Sequence, residues 1–214
     1  MAQWLPLFPL KVVLFPHMPL PLHIFEPRYR QMIAECLEEG HSFGVVAIRE
    51  GGETGVAMPH DVGTLAKIVR IERLTDGRMN LLVSGASRFE IVQMATDRPY
   101  LRGEVRIIPE AGDGTVAARL TRETGAAFGQ YSKLVRAMAG EPAEDIQPPV
   151  DPEILSYLVA AALNLDLGEK QALLAQRRTD ERLALELRIL RKEIALLKEM
   201  IARAASATSR ASLN

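Results

Sequence analysis

Four histidines and one cysteine are among the side chains of this sequence that could bind a metal or act as nucleophiles near neutral pH. Cys36 stands alone, so neither an intrachain disulfide nor a multi-cysteine zinc site can form. His60 and Asp61 are adjacent and suggest an acid-base pair in a loop, but loop neighbours point in different directions. Ser132 and Lys133 are adjacent within a helical pattern, where neighbours do not face each other. The histidines lack the regular spacing of metal ligands; they are His17, His23, His41 and His60.

The motifs of several common enzyme families are also absent. The sequence contains no G-x-x-x-x-G-K-[ST] phosphate loop, no G-x-G-x-x-G turn, no G-x-S-x-G elbow and no H-E-x-x-H pair. We therefore predict that the protein is not an enzyme, with no catalytic residues, no cofactor and no bound metal. The alternative is a small hydrolase of unknown type, with a site assembled from scattered residues such as His17, His23 and Glu26.

Charge and hydropathy narrow the set of partners and compartments. The 214 residues include 26 basic and 27 acidic side chains, a net charge of -1, so no overall field attracts nucleic acid or an anionic membrane. The apolar run at 154–165 is too short to cross a bilayer, which needs about 20 residues. A single cysteine fits a reducing compartment. We predict a cytoplasmic protein without a membrane or nucleic-acid partner.

The first half of the sequence has the pattern of short β-strands. The segment "LRGEVRII" at 101–108 alternates apolar and charged residues, the period of a sheet with one solvent-facing side. Asp76 and Gly77 separate two apolar runs and supply the positive φ angles of a tight hairpin turn. Several further apolar runs bring the total to about six strands. We expect them to curl into a closed or half-closed barrel over residues 1–112.

One segment of this half has helical spacing. Apolar residues repeat every three to four positions from Pro27 to Glu39, with Pro27 suited to the first turn and Gly40 to the end of a helix. Cys36 falls on the apolar side. We predict that it is a small buried side chain and not a nucleophile.

After residue 112 the apolar period becomes helical, which predicts a helical bundle domain over residues 113–214. Asp151 followed by Pro152 marks one helix start. Asp166 with Glu169 forms a capping-box pattern at another, and Thr179 begins the last and longest helix. The first of these helices is predicted to bury a stripe of residues, namely Val116, Leu120, Ala127, Tyr131, Leu134, Val135 and Met138.

The last helix carries apolar residues four and three positions apart, the spacing of a coiled coil. They are Leu183, Leu187, Leu190, Ile194, Leu197 and Ile201. Because this seam is shorter than the three to four heptads of a confident coiled coil, it favours packing within one chain over dimerisation. We predict a monomer or a weak homodimer.

Six segments of the sequence carry a resemblance to a known family, namely "LPLFPL" (5–10), "LFP" (14–16), "LPLHIFEPRYRQMI" (20–33), "VGTLAKIVRIERLTDGRMNLLVSGASRF" (62–89), "KQALL" (170–174) and "RL" (182–183). Together they resemble the N-terminal, substrate-binding domain of the Lon ATP-dependent proteases, in its short stand-alone bacterial form. The likeness extends over about residues 5 to 200, and proline, phenylalanine and glutamate recur in order. The resemblance implies an α+β protein in which a PUA-like β barrel of about six strands and one helix precedes a helical bundle with a long C-terminal helix.

The resemblance also implies that the chain recognises unfolded or damaged protein segments. We expect a non-catalytic polypeptide-binding module, an adaptor in protein quality control without ATPase or peptidase activity of its own. The expected partners are unfolded or partly folded polypeptides and a protease or chaperone on another chain. RNA binding is an alternative, because PUA-like barrels resemble RNA readers, although the neutral charge argues against it.

The proline-rich stretch at 14–25 is the candidate binding surface. Its prolines prevent regular hydrogen bonding at several positions and favour an edge strand. The predicted peptide-binding residues are Phe15, Met18, Leu20 and Leu22. On this hypothesis they stay partly exposed beside an unpaired edge and hold an apolar peptide by strand addition or by pocket contacts. The alternative is a structural seam that packs apolar side chains between barrel and helix.

Overall fold

The computed structural model describes residues 3–40, 42–53, 57–142, 144 and 147–211, with side chains up to residue 204. His41 lies outside the described residues. The elements, in chain order, are β1 (Gln3–Leu10), β2 (Pro19–Ile24), α1 (Pro27–Glu39), β3 (Phe43–Gly51), β4 (Ala57–Arg73), β5 (Met79–Ala95), β6 (Arg102–Ile107), α2 (Gly114–Met138), α3 (Pro152–Ala162), α4 (Leu167–Ala175) and α5 (Thr179–Ala211). The predicted α+β class, with strands first and helices after, is confirmed.

The chain divides into two compact units. Unit 1 comprises Met1–Glu110 and Ala160–Arg177, and unit 2 comprises Ala111–Val159 and Arg178–Asn214. The segment that contains α4, which the sequence assigns to the second domain, therefore groups with the strands. The division into a barrel domain at 1–112 and a helical bundle domain at 113–214 stays a prediction.

The strands described in unit 1 form one mixed sheet in the order β2-β5-β4-β3-β1-β6. Residues 3–6 of β1 run antiparallel to β6, whereas residues 7–10 run parallel to β3. The second half of β5 also pairs with β6, so the sheet rolls back on itself. The result is a curled sheet of barrel-like form and not a regular closed barrel, because β1 changes partner along its length and β2 is attached only to β5.

Helix α1 has the bounds that the sequence predicts. Pro27 lies in its first turn, and Gly40 ends it with a φ of 64°, a left-handed conformation that glycine adopts without strain. Its apolar side packs into the core of the curled sheet, where Cys36 is buried as predicted. Burial raises the pKa of the Cys36 thiol to about 11, so the thiol stays protonated and unreactive at neutral pH.

The hairpin between β4 and β5 is confirmed, but the two turn residues have different roles. Gly77 has a φ of 82°, as the turn requires, whereas Asp76 does not have a positive φ. Asp76 instead accepts hydrogen bonds through its side chain, from the backbone N–H of Arg78 at 3.0 Å and from its Nε at 2.6 Å. The prediction of positive φ at Asp76 is therefore wrong, because its carboxylate stabilises the turn without it.

A buried arginine connects α4 to the sheet within unit 1. Arg88 of β5 is 1% exposed, and its Nη1 donates to the carbonyl oxygens of Leu174 and Gln176 at 2.8 and 2.5 Å. Its Nη2 forms an ion pair of 2.7 Å with Glu110. These bonds satisfy carbonyls at the end of α4 that have no partner inside the helix. Gln171 adds a hydrogen bond of 2.8 Å to the carbonyl of Val62.

In unit 2 the buried face of α2 is rotated from the predicted stripe. Val116 at one end of the helix, and Val135 and Met138 at the other, are exposed, whereas Phe128 and Thr121 are buried. Thr121 can face the interior because its hydroxyl donates to the carbonyl of Ala117 at 2.7 Å. The predicted stripe is thus wrong at its two ends, since a pattern of apolar residues alone does not recognise a threonine whose hydroxyl is satisfied.

Helix α5 buries the first part of its apolar seam inside unit 2. Leu183, Leu187, Leu190 and Ile194 are buried within the single chain, which confirms intramolecular packing for this part. Leu197 and Ile201 are half-buried. Whether the chain dimerises stays a prediction.

The predicted helix starts are confirmed by their caps. Asp151 accepts a hydrogen bond of 2.9 Å from the backbone N–H of Ile154, in the first turn of α3. Asp166 and Glu169 form a reciprocal capping box at α4. Among the described residues, no helix combines the length and hydropathy needed to cross a membrane.

We predict that Arg88→Met lowers the free energy of unfolding by about 3 kcal/mol, because it leaves the carbonyls of α4 and the Glu110 carboxylate without their donor. Urea denaturation followed by circular dichroism measures this loss. Arg106→Met is the matched control: Arg106 forms an ion pair of 2.8 Å with Glu90, but its side chain is 67% exposed. Replacing Arg106 should lower the free energy of unfolding by less than about 1 kcal/mol. Equal effects of the two substitutions would contradict a stabilising role for the buried arginine.

Candidate polypeptide-binding surface

The four predicted binding residues do not form one exposed surface. Phe15 is 1% exposed, so the prediction that it stays partly exposed is wrong. Met18 is half-buried. Leu20 and Leu22 are partly buried against the core, on the same side as the buried Ile24, which agrees with their predicted alternation. Much of the stretch is therefore the structural seam that the sequence analysis gave as the alternative.

Strand β2 is an edge strand, as predicted, but its free edge has few hydrogen-bond donors. Among the described strands, β5 alone pairs with it. The carbonyl of Met18 accepts from Gly85 of β5 at 2.9 Å. Because backbone direction alternates along a strand, Pro19, Pro21 and His23 turn their backbone groups away from β5. Two of these three positions have no N–H, so the edge is poorly suited to strand addition.

A better-formed apolar site lies where the start of α1 meets the end of β1. It is a cleft of about 370 Å³, which we call the Tyr29 cleft after one of its two tyrosines. Its apolar lining is provided by Pro9, Tyr29, Met58, Met94, Pro99, Tyr100 and Leu101. A smaller cavity of about 160 Å³ shares Tyr29 as a wall and is bordered by Leu22 and Phe25. Of the predicted site residues, Leu22 alone lines either space.

Three side chains around these spaces expose apolar surface to solvent. Met58 is 45% exposed and Met94 is 46% exposed, and both line the Tyr29 cleft. Phe25, at the smaller cavity, is 54% exposed. Neighbouring exposed apolar side chains at a concave site are typical of surfaces that bind ligands or other proteins.

Tyr29 is fixed in place by contacts on β1 and α1. Its ring lies 4.3 Å from the ring of Phe8, centroid to centroid, and the Arg28 guanidinium lies 4.5 Å from its centroid. Arg28 is held in turn by Glu26 at 3.0 Å and by the carbonyl oxygen of Glu53 at 2.6 Å. Burial raises the pKa of the Tyr29 phenol, so its hydroxyl keeps its proton at neutral pH. The cleft therefore has a rigid aromatic wall.

A second tyrosine forms another part of the lining. Tyr100 donates a short hydrogen bond from its hydroxyl to the carboxylate of Glu35 on α1. Burial, together with this carboxylate, raises the pKa of Tyr100 to about 12. The same hydrogen bond lowers the pKa of Glu35. Arg98 lies 3.8 Å from Glu35 and adds a positive charge at the cleft.

Several described residues with potential catalytic chemistry face apart or are engaged by other side chains. His60 and Asp61 lie in β4 and not in a loop, and successive strand residues face opposite sides of a sheet. His23 pairs through Nδ1 with Asn80 at 2.7 Å, and its ring stacks on Phe25. Glu26 is engaged by Arg28. In the described part of the chain, no group of three or more potential ligands could hold a metal ion.

Unit 2 has a separate shallow groove along α2. It has a volume of about 510 Å³ and is lined by Ala118, Gly125, Pro148 and Val150. A Cβ on Gly125 would lie 3.5 Å from the Pro148 ring, which is an ordinary contact, so the close approach of Pro148 to the helix does not require a glycine at this position. The groove has no aromatic residue among its lining residues.

Tyr100→Phe should lower the free energy of unfolding by about 1 kcal/mol at pH 7, because the partly exposed Glu35 carboxylate loses its donor. Glu35 has a lowered pKa, so its contribution is present above its ordinary pKa of 4.5 and is lost as the pH falls through the folded value. The difference in the free energy of unfolding between wild type and Tyr100→Phe, measured by urea denaturation, should thus be smaller at pH 3 than at pH 7. In a Glu35→Gln background, Tyr100→Phe should lower the free energy of unfolding by less than it does in the wild type. A cost that is independent of pH and of residue 35 would refute this coupling.

Comparison with known proteins places the chain in one family. A family model described as the ATP-dependent protease La (LON) substrate-binding domain matches residues 4–192. Lon protease 1 of Hydrogenovibrio crunogenus is 28% identical over 193 residues, which is 87% of this chain and 23% of that protein. Lon protease 2 of Herpetosiphon aurantiacus is 30% identical over 198 residues, 91% of this chain and 24% of that protein. The chain thus spans about a quarter of the length of these curated relatives.

Two solved structures share the fold. The Lon N-terminal domain protein from Xanthomonas campestris superimposes with a TM-score of 0.63 at 26% identity, covering 86% of this chain and 97% of that one. The N-terminal domain of the Mycobacterium avium complex Lon protease has a TM-score of 0.68 at 23% identity, covering 90% and 98%. The resemblance and the fold class inferred from the sequence are confirmed.

Proposed function

Because the chain belongs to the family of Lon protease substrate-binding domains, we propose that it binds unfolded or partly folded polypeptides at the Tyr29 cleft. The observation that carries this proposal is the pair of exposed methionines, Met58 and Met94, beside the fixed ring of Tyr29. The predicted stretch at 14–25 contributes Leu22 and Phe25 to the lining of the smaller cavity, whereas its Phe15 is buried.

The chemistry of the cleft suits ligands of variable sequence. Methionine side chains are unbranched and polarisable, so they adapt to apolar groups of different shapes. The Tyr29 ring is 5% exposed and fixed by its contacts, so this wall of the cleft is in place before a ligand binds. A volume of about 370 Å³ lies at the lower end of the range of small-ligand sites and has room for one or two large side chains. Such a site selects exposed apolar residues and not a particular sequence.

Side-chain insertion is the binding mode that the geometry favours over strand addition. The free edge of β2 lacks N–H donors at Pro19 and Pro21, so an added strand would leave most of its carbonyls on this side without partners. Apolar insertion at the cleft requires no such pairing. An unfolded chain presents apolar side chains that folded proteins bury, which gives the discrimination between the two.

We further propose that the chain has no ATPase or peptidase activity of its own. The lack of a phosphate-binding loop in the sequence and of metal-ligand groups in the described residues supports this. A protease or chaperone would act on the bound polypeptide, and the relatives, which are named as Lon proteases, indicate the protease as the first to test. The proposal includes a cytoplasmic location and a monomer or weak homodimer.

We predict that Met58→Asp weakens the binding of unfolded protein by about ten-fold or more, since it places a charge where an apolar side chain would be buried. The measurement is the fluorescence anisotropy of labelled, reduced and carboxymethylated lactalbumin, titrated with the purified chain. Val69→Asp is the matched control, because Val69 is a 63% exposed apolar residue of the same strand that does not line the cleft.

The expected control result is an unchanged dissociation constant with the same circular dichroism spectrum in both variants. If wild type shows no saturable binding, polypeptide binding itself is wrong. If the two variants lose affinity equally, binding occurs but the Tyr29 cleft is not its site. Binding to RNA that weakens steeply with salt would favour the alternative function instead.

A further inference from the structure

Methionines in this protein differ sharply in their access to solvent. Met32 and Met79 belong to the buried core of unit 1. Met58 and Met94 are about half exposed, and both line the Tyr29 cleft although they come from different strands. Peroxides oxidise a thioether at a rate that depends on its exposure. The cleft therefore presents two reactive sulfur atoms at one site.

We propose that Met58 and Met94 form a site of reversible oxidation that switches off polypeptide binding, an inference that rests on the function proposed above. Each thioether sulfur takes one oxygen atom from hydrogen peroxide. The O–O bond breaks, an S–O bond forms, the sulfur loses two electrons, and the other oxygen leaves as water. A sulfoxide reductase that uses thiols as electron donors returns the thioether and releases the oxygen as water.

The effect on binding follows from the polarity of the sulfoxide. Oxidation replaces an adaptable apolar group with a strongly polar S=O at the mouth of the cleft. An apolar ligand side chain that enters the cleft would remove this oxygen from water without supplying a donor. We expect binding of unfolded protein to weaken by about ten-fold or more when both methionines are oxidised.

The fold should survive this modification. Both side chains are exposed at the cleft, so their sulfoxides remain in contact with water in the free protein. Oxidation of Met32 or Met79 would instead introduce a polar group into the core. A loss of binding with an unchanged circular dichroism spectrum therefore separates modification of the cleft from damage to the core.

The experiment treats the purified chain with hydrogen peroxide, removes the peroxide with catalase, and maps sulfoxides by peptide mass spectrometry. Binding of labelled, reduced and carboxymethylated lactalbumin is then measured by fluorescence anisotropy. The same titration follows treatment with two methionine sulfoxide reductases, one for each sulfoxide epimer, and dithiothreitol. The variant Met58→Leu/Met94→Leu is compared with its own untreated form. The control variant is Met138→Leu/Met200→Leu, which removes two methionines of unit 2 that are 46% and 52% exposed.

The expected result is that peroxide weakens binding by wild type and by the unit 2 variant, and that the reductase restores it. Peroxide should not change the affinity of Met58→Leu/Met94→Leu. If wild type with both sulfoxides present binds as tightly as before, the inference is overturned while the proposed function stands. If peroxide weakens the double cleft variant equally, the sensitive methionine lies elsewhere, with Met18 the first to examine, and the inference is also overturned. No binding by untreated wild type would overturn the proposed function and this inference together.

Discussion

Tyr29 lies in the first turn of α1, with its ring against Phe8 of β1 and beside the Arg28 guanidinium. This contact fixes the start of the helix on the end of the strand. The Tyr29 cleft and its smaller neighbour share Tyr29 as a wall, so both depend on its position. Arg28 is itself bound to Glu26 and to the backbone at Glu53, so the aromatic wall is supported by a network and not by one contact. A rigid wall next to movable methionines gives a site that is preorganised on one side and adaptable on the other.

Local signals explain which parts of the fold could be predicted from the sequence. The bounds of α1 follow from Pro27 and Gly40, and the β4–β5 hairpin follows from Gly77, because each signal acts through the conformation of its own residue. The face of α2 was harder to predict. Thr121 is buried there with its hydroxyl bonded to the preceding turn, whereas the apolar Val116, Val135 and Met138 near the ends of the helix are exposed, so a count of apolar residues did not identify the buried face.

The candidate site could not be predicted in the same way. Its lining comes from β1, the first turn of α1, the start of β4, the end of β5 and the residues after it, which are brought together only by the sheet pairing. The proline-rich stretch at 14–25 was predicted to be the binding surface because its composition is locally unusual. Its prolines instead remove donors from the edge of β2, and Phe15 completes the core. The one sequence signal for the cleft was the presence of Met58 and Met94 on strands of otherwise mixed polarity, which is too common to identify a site.

Methyl NMR of the chain labelled at its methionine methyl groups tests the central claim most directly, because methionines report from the cleft, the core and unit 2 in one spectrum. On titration with unfolded, carboxymethylated lactalbumin, the signals of Met58 and Met94 should shift and saturate together. Those of Met138 and Met200, which are equally exposed in unit 2, should stay in place. Saturable binding that moves the unit 2 signals and leaves Met58 and Met94 unchanged would contradict the assignment of polypeptide binding to the Tyr29 cleft.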